Sequence, residues 1–344
     1  EIRPRDWSSD VCSSDLDGCL DGASTLRTGV KIMIETITTL FSGKSGIVLL
    51  IILGILVFAT LIVSVLFRTK TSQELKERVY SWWIIIGAFI LGAMLNTTVA
   101  MFFFALISYL ALKEYFTLIP TRRTDRRIIF YAYLSIVFQY WFAGIGWYGM
   151  FIIWIPVYLF LLLPFRQVLI GETQGFLENT SRVQWGLMMF VFGLSHLAYM
   201  MTLPAVAGHD VAGKELVLYV VLLTELNDVL QYLWGKALGK HKIVPKVSPN
   251  KTIEGFAGAF VTLSALAVAF SFLTPFTTLQ ALAAGMLISG AGFVGDVVIS
   301  MVKRDIGVKD SGHLLPGHGG ILDRVDSLTY TAPLFFHFTY YLYY

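Results

Sequence analysis

The sequence predicts an all-α, polytopic integral membrane protein with about ten transmembrane helices. Only 14% of its 344 residues are charged, whereas a soluble domain carries about 25% charged residues. Hydrophobic residues make up 56% of the chain, and the mean hydropathy is +0.69. These values exclude a disordered chain, a secreted disulfide scaffold and an ordinary cytosolic enzyme.

Residues 1–22 differ in composition from the rest of the chain. They contain six acidic residues, two arginines and both cysteines, Cys12 and Cys19. They lack the apolar core of a signal peptide, and the run WSSDVCSSDLD resembles translated sequencing-adapter sequence. We therefore expect 1–22 to be a non-native or disordered leader. The remaining sequence has no cysteine, which excludes disulfides and thiolate metal sites there.

Long uncharged stretches define the predicted spans, because a spanning helix needs about 20 mostly apolar residues. Two of these stretches are long enough for two spans each, with breaks expected near Asn96 and at Gly144 to Gly146. The ten predicted spans are 45–67, two within 79–112, two within 128–165, one within 183–209, and 215–234, 255–274, 280–300 and 327–344.

The distribution of basic residues predicts the orientation of these spans. With the N-terminus outside, the inner loops hold 20 Lys and Arg residues and the outer segments hold four. Cytoplasmic loops of membrane proteins carry such an excess of Lys and Arg. We therefore expect both chain ends outside and the loops 235–254 and 301–326 on the cytoplasmic face. The N-terminal helices would occupy 23–214, and a catalytic region would occupy 215–344.

The segment 300–326 concentrates polar chemistry in a chain that has little of it. Its Pro316–Gly320 turn has three glycines in four positions, which allows a close backbone approach to a ligand and an anion-binding nest of N–H groups. Asp323 and Asp326 are spaced to share one face of a following helix. Two carboxylates beside Lys and Arg suit a divalent cation that holds phosphates. A loop that only set the topology would need charge but not the glycine turn.

This segment resembles the signature of the phosphatidate cytidylyltransferases, also called CDP-diacylglycerol synthases. The signature runs Ser-x-x-Lys-Arg, four residues, Lys-Asp-x-Gly, and then Pro-x-His-Gly-Gly-x-x-Asp-Arg-x-Asp. Every fixed position is met, at Ser300, Lys303, Arg304, Lys309, Asp310, Gly312, Pro316, His318, Gly319, Gly320, Asp323, Arg324 and Asp326.

A second region, 227–255, is similar to another stretch of the same family. It contains Asn227-Asp228, a Gly-Lys pair and the run Ser-Pro-Asn-Lys-Thr-Ile-Glu-Gly. Ile253 stands where an aromatic residue is common in the family, a difference that leaves the chemistry in place. The resemblance covers about 215–344 in motif detail, and the earlier spans match in general hydropathy. Asp228 and Asp296 also fall in or at the ends of apolar spans, where ionisable residues are functional candidates.

The resemblance implies the reaction CTP + phosphatidate → CDP-diacylglycerol + pyrophosphate, with Mg²⁺ as cofactor and a second cation left open. The implied metal ligands are Asp296, Asp323 and Asp326. The implied catalytic residues are Lys303, Arg304, Lys309, Asp310 and His318. The implied substrate-binding residues are Asn227, Asp228, Ser248, Lys251, Gly319, Gly320 and Arg324.

The implied partners are CTP, phosphatidate and the lipid bilayer, without nucleic acid and with a homodimer left open. The implied location is the inner cell membrane, with the active site facing the cytoplasm. Two alternatives remain, a rival enzyme and a protein of a different class. One is a CTP-dependent polyprenol or phytol kinase, against which the complete signature argues. The other is an ion-coupled transporter, although the charges cluster at one face and no inverted repeat is evident.

Overall fold

The computed structural model of this chain describes residues 38, 41, 43–66, 70–120, 126–308, 311–312 and 319–344. Within these residues the backbone forms helices and no β-strand, and Lys242 and Thr252 make an isolated bridge. The chain divides into two compact units, Glu1–Ile52 and Leu53–Tyr344. All the candidate site residues belong to the second unit. The predicted leader 1–22 lies outside the described residues.

The helices of the described part are named α1 to α11 in chain order. They are α1 Lys44–Leu66, α2 Lys70–Phe89, α3 Thr97–Leu118, α4 Arg126–Gly144, α5 Tyr148–Val168, α6 Phe176–Met200, α7 Gly213–Leu238, α8 Ile253–Ala269, α9 Thr278–Asp305, α10 Leu322–Val325 and α11 Leu328–Tyr343. Helix α2 continues into a π-helical stretch, Ile90–Met94, and further π-helical stretches lie inside α5 and α6.

The all-α polytopic membrane fold is confirmed. A helix occupies each of the ten predicted spans. Among the described residues, α1, α3, α5, α6, α7 and α9 are long and apolar enough to cross a bilayer, and Val79–Met94 and α8 are shorter apolar helices. Large apolar side chains also face outward, such as Phe102 at 74% and Leu279 at 75% exposure. Outward apolar side chains are expected where lipid is the solvent.

Both predicted breaks are found, and each has a local cause. Asn96 caps α3, since its side chain accepts a hydrogen bond from the Val99 N–H at 2.8 Å. An Asn side chain in this position satisfies an N–H group that has no partner within the helix. Between α4 and α5 the chain turns at Gly146, whose φ of 68° is readily adopted by glycine.

Two elements differ from the prediction. Helix α6 begins at Phe176 rather than near 183, because Arg182 lies inside the helix and pairs with Glu178 one turn earlier at 2.5 Å. A charged residue limits an apolar span but does not end a helix. The helix expected to carry both Asp323 and Asp326 is the single turn α10, and Asp326 follows it.

Small residues allow α9 to approach its neighbours closely and so determine where the site lies. A Cβ at Gly285 would lie 2.6 Å from the Cβ of Ala267 on α8. A Cβ at Gly295 would lie 2.7 Å from the carbonyl oxygen of Asp326, at the junction of α10 and α11. Small residues at helix contacts are typical of membrane bundles. Here they bring Asp296 of α9 beside Asp326.

Candidate active site

Lys251 joins the motif region 227–255 to α9, the helix that leads into the signature segment. Thr252 caps α8 by accepting a hydrogen bond from the Gly255 N–H at 3.1 Å, which fixes the residue just before it. The Lys251 ammonium donates to Gln231 Oε1 of α7 at 2.8 Å and forms an ion pair with Asp296 of α9. A loop lysine is thereby held between two membrane helices.

Three carboxylates, those of Asp228, Asp296 and Asp326, lie within electrostatic range of this lysine and are called the acidic cluster here. Asp326 is 9% exposed and lies within electrostatic range of the other two. Asp228 accepts a hydrogen bond from Ser327 Oγ at 3.1 Å through one oxygen. Its other oxygen, Oδ1, is buried without a hydrogen-bond partner among the described residues.

Burial and neighbouring charges shift the pKa values of Asp326 and Lys251. Burial, together with the carboxylates of Asp296 and Asp228, raises the pKa of Asp326 well above its ordinary value. Burial acts to lower the pKa of Lys251, but the neighbouring carboxylates outweigh it and hold that pKa above its ordinary value. Burial alone raises a carboxyl pKa, and neighbouring carboxylates raise it further, whereas the same carboxylates favour the charged form of lysine.

Asp323 lies in a different environment from Asp326. One of its oxygens accepts a hydrogen bond from the Lys303 ammonium at 2.6 Å, and the other accepts from the N–H groups of Ser311 and Gly320 at 3.1 and 3.2 Å. Burial opposes ionisation, yet these donors lower the pKa of Asp323 below its ordinary value. Asp323 is therefore a satisfied anion inside the glycine turn.

The glycine turn is shaped around carboxylates. Gly319 has a φ of 77°, and a Cβ there would lie 2.6 Å from Asp323 Oδ2. The N–H groups of Ile321 and Leu322 donate to the two oxygens of Glu114 on α3, at 2.9 and 3.4 Å. Of the turn expected to form an anion nest, the N–H of Gly320 donates to Asp323, and the N–H groups of Ile321 and Leu322 that follow it donate to Glu114. Residues 316–318 of that turn lie outside the described residues.

Glu114 was not among the predicted site residues. The sequence signal that marks it is an acidic residue, next to Lys113, at the end of a 34-residue uncharged stretch. A carboxylate in this position is also typical of a solvent-exposed helix end. The sequence alone therefore predicts a solvated charge as readily as a site residue.

Other predicted substrate-binding or catalytic residues connect helices and loops. Asn227 is fully buried, where it accepts a hydrogen bond from Ser289 Oγ at 2.8 Å and so joins α7 to α9. The Arg304 guanidinium donates to the carbonyl of Val247 at 3.2 Å. The carbonyl of Ser248 in turn accepts the Lys251 N–H at 3.3 Å.

These contacts make the end of α9 a support for the loop that carries Ser248 and Lys251. Arg324 also lies within electrostatic range of Asp228, and its Nε atom is buried without a hydrogen-bond partner in the part that the structure describes.

Three predicted catalytic residues, Lys309, Asp310 and His318, lie outside the described residues, and their roles stay predictions. Within the described ranges, no group of three or more His, Cys, Asp or Glu side chains forms a ready-made metal site. The acidic cluster nevertheless offers the ligand chemistry that Mg²⁺ prefers, since carboxylate oxygens are its usual protein ligands. The buried Asp228 oxygen that has no hydrogen-bond partner among the described residues would suit such a cation.

Known proteins of one family resemble this chain over most of its length. A sequence model of the cytidylyltransferase family matches residues 76–342. The uncharacterized protein YnbB of Escherichia coli K12 is 46% identical over 289 residues, which are 83% of this chain and 95% of that protein.

Phosphatidate cytidylyltransferases are also similar to the chain, over a shorter stretch. That of Staphylococcus aureus COL is 45% identical over 124 residues, and that of Bacillus subtilis 168 is 42% identical over 129 residues. These matches cover 36% and 37% of this chain and 48% of each relative, so they span about half the length of these relatives. The chain belongs to the cytidylyltransferase family and is a nucleotidyltransferase.

Proposed function

We propose that this protein transfers the cytidylyl group of CTP to phosphatidate, giving CDP-diacylglycerol and pyrophosphate. One observation carries the proposal. The ion pair between Lys251 and Asp296 joins the motif region 227–255 to α9, the helix that also carries the first signature residues, Ser300, Lys303 and Arg304. A site built from both regions at one end of the bundle fits a reaction between two phosphate-bearing substrates.

In the proposed reaction, an oxygen of the lipid phosphate attacks the α-phosphorus of CTP in line. A phosphorus–oxygen bond forms to the lipid, the bond to the β-phosphate bridging oxygen breaks, and pyrophosphate leaves. Catalysis of phosphoryl-type transfer depends mainly on positioning and on neutralising charge. No nucleophilic side chain is needed.

The residues present suggest how charge would be neutralised. Asp296 and Asp326, with Asp228, would hold Mg²⁺, which when bound would offset the repulsion between the two phosphates. Asp323, the third predicted ligand, would join them only by giving up its hydrogen bond from Lys303. Lys303 released from Asp323 would then be free to bind a phosphate oxygen.

The nucleotide would lie against the loop that contains Ser248 and Lys251. Arg304 holds this loop to the end of α9 through the Val247 carbonyl, so movement of the loop and of α9 would be linked. Lys309, Asp310 and His318 would complete the phosphate-binding surface. The acyl chains would remain in the bilayer, so the site would open sideways to lipid.

We further propose that the protein lies in the inner cell membrane with this site on the cytoplasmic face. The excess of Lys and Arg in the predicted inner loops supports this orientation. The same excess would attract anionic lipids such as phosphatidate, by about 1 kcal/mol for each basic residue near the surface.

An assay of purified protein in mixed micelles tests the acceptor. CTP and Mg²⁺ would be supplied with phosphatidate in one reaction and with a polyprenol in another, and lipid-soluble cytidine product would be measured. We expect lipid-soluble cytidine product in the reaction with phosphatidate and none in the reaction with the polyprenol. Addition of EDTA should abolish the product. Absence of product with phosphatidate in an active-site-intact preparation that binds CTP would contradict the proposed substrate.

A further inference from the structure

The carboxylate of Glu114 is a feature of the site to which the sequence analysis assigns no role. Glu114 lies near the end of α3 and is 207 positions from Ile321 along the chain. It nevertheless accepts hydrogen bonds from two successive backbone N–H groups, those of Ile321 and Leu322. These are the N–H groups at the start of α10.

Two glycines of the signature leave room for this carboxylate. A Cβ at Gly320 would collide with Glu114 Oε1, and a Cβ at Gly312 would lie 3.3 Å from the Glu114 carboxyl carbon. Any larger residue at 320 would displace either the carboxylate or the turn. The turn and the glutamate are therefore fitted to each other.

The hydrogen bonds of Glu114 fix the start of α10, which carries Asp323 and precedes Asp326. Ile321 and Leu322 immediately precede Asp323, which forms the ion pair with Lys303, and Asp326 follows one turn later. Hydrogen bonds to a charged acceptor are stronger than neutral ones. A helix of four residues has little stability of its own, so its place depends on contacts such as these.

We propose that Glu114 is a positioning residue that holds α10, and with it Asp323 and Asp326, in the arrangement used for cytidylyl transfer. This inference rests on the proposed function for its catalytic part, whereas the anchoring itself does not. Glu114 would touch neither substrate, because its oxygens are occupied by backbone donors.

The anchoring is tested by hydrogen–deuterium exchange of the full chain in detergent. The measured peptide would cover 319–326, in the wild type and in Glu114→Ala and Glu114→Gln variants. We expect exchange at Ile321 and Leu322 to rise at least tenfold in Glu114→Ala. The rise would be smaller in Glu114→Gln, whose amide oxygen still accepts one hydrogen bond. Unchanged exchange in both variants would overturn the proposal.

The catalytic consequence is tested by steady-state kinetics on the same variants. Displacement of catalytic groups by about 1 Å can cost about 10²-fold in rate. We expect kcat to fall about 10- to 100-fold in Glu114→Ala and less in Glu114→Gln, with KM for CTP within about threefold of wild type. If KM for CTP instead rose about 10- to 100-fold and kcat did not change, Glu114 would bind the substrate directly. That result would overturn the positioning role.

Glu178→Gln is the matched control, because Glu178 is a partly exposed carboxylate that pairs with Arg182 one turn away on α6. It should alter neither exchange at 319–326 nor kcat. Thermal unfolding checks that each variant is folded, and Glu114→Gln keeps the side-chain shape should Glu114→Ala fail to fold.

The two proposals fail in different ways. If the wild type binds CTP but transfers nothing to phosphatidate, the proposed function is contradicted, and the exchange experiment still decides whether Glu114 anchors the turn. If transfer occurs and Glu114→Ala retains full kcat, the positioning role is contradicted and the proposed function stands.

Discussion

Replacement of Lys251 by Met should abolish most activity and lower stability, because Lys251 is the cation at the centre of the acidic cluster. The side chains of Lys251 and Asp296 are only 18% and 20% exposed. The ammonium also donates to Gln231 and lies 6.0 Å from the Phe293 ring centroid. Met keeps the length of the aliphatic stem but removes the charge and all three of these interactions.

The size of the effect follows from the loss of one partner of a largely buried ion pair. Such a loss costs about 3–5 kcal/mol, because the remaining charge stays buried without compensation. The remaining exposure of Lys251 and Asp296 favours the lower end, about 3 kcal/mol. Removal of one preorganised charge from a reacting centre costs about 10²–10³ in rate, and we expect a loss in that range.

Cytidine incorporation into lipid and thermal unfolding in detergent would be measured on the same preparations. Lys214→Met is the matched control, since Lys214 is 42% exposed and its ammonium lies 3.6 Å from Glu215. Glu215 is 8% exposed and also accepts a hydrogen bond from the Ala212 N–H at 3.0 Å. Lys214 itself is exposed and lies 14 positions before Asp228 on α7, so this variant should retain wild-type activity. Activity of Lys251→Met within threefold of wild type would refute the reasoning about the acidic cluster.

The other predictions concern the two site acids, the leader and the orientation. Asp326→Asn should abolish turnover yet raise the melting temperature at neutral pH. A raised pKa in the folded state means that ionisation of Asp326 costs stability as pH rises, so a lower melting temperature would contradict this. Asp323→Asn should abolish turnover and destabilise the fold, since Lys303 loses its partner. The lowered pKa of Asp323 stabilises the fold above the ordinary Asp pKa, a contribution lost as pH falls, so the melting-temperature deficit of this variant should shrink in acid. Deletion of 1–22 should leave turnover unchanged in inserted protein, and inactivity would show that the leader matters. In that deletion variant, which has no cysteine, Ile243→Cys should resist an impermeant thiol reagent applied outside intact cells, and labelling would reverse the proposed orientation.

Much of the fold was predictable because lipid imposes a simple rule on sequence. Apolar stretches long enough to cross a bilayer must be helical there, and the breaks at Asn96 and Gly146 were marked by residues that end or cap helices. The start of α6 was missed for a physical reason. As a charged residue, Arg182 marks the edge of the apolar span. The helix nevertheless continues toward its N-terminus beyond Arg182, where Glu178 pairs with it.

The site was predictable in its residue types and less so in its pairings. The signature contains both Asp323 and Asp326. Sequence spacing does not show that Asp323 pairs with Lys303, whereas Asp326 lies near Asp296. Those environments depend on how closely α9 approaches the junction of α10 and α11. Glu114 was missed because its partners are backbone N–H groups, which leave no mark in the side-chain pattern.

The most direct test of the central claim follows the phosphates of CTP separately. Purified protein in mixed micelles with phosphatidate and Mg²⁺ would receive CTP labelled at either the α- or the γ-phosphate. Cytidylyl transfer predicts that the α-label enters the lipid fraction and that the γ-label leaves as pyrophosphate. A γ-label in the lipid fraction would instead show a kinase, and retention of both labels in CTP would contradict catalysis of this reaction altogether.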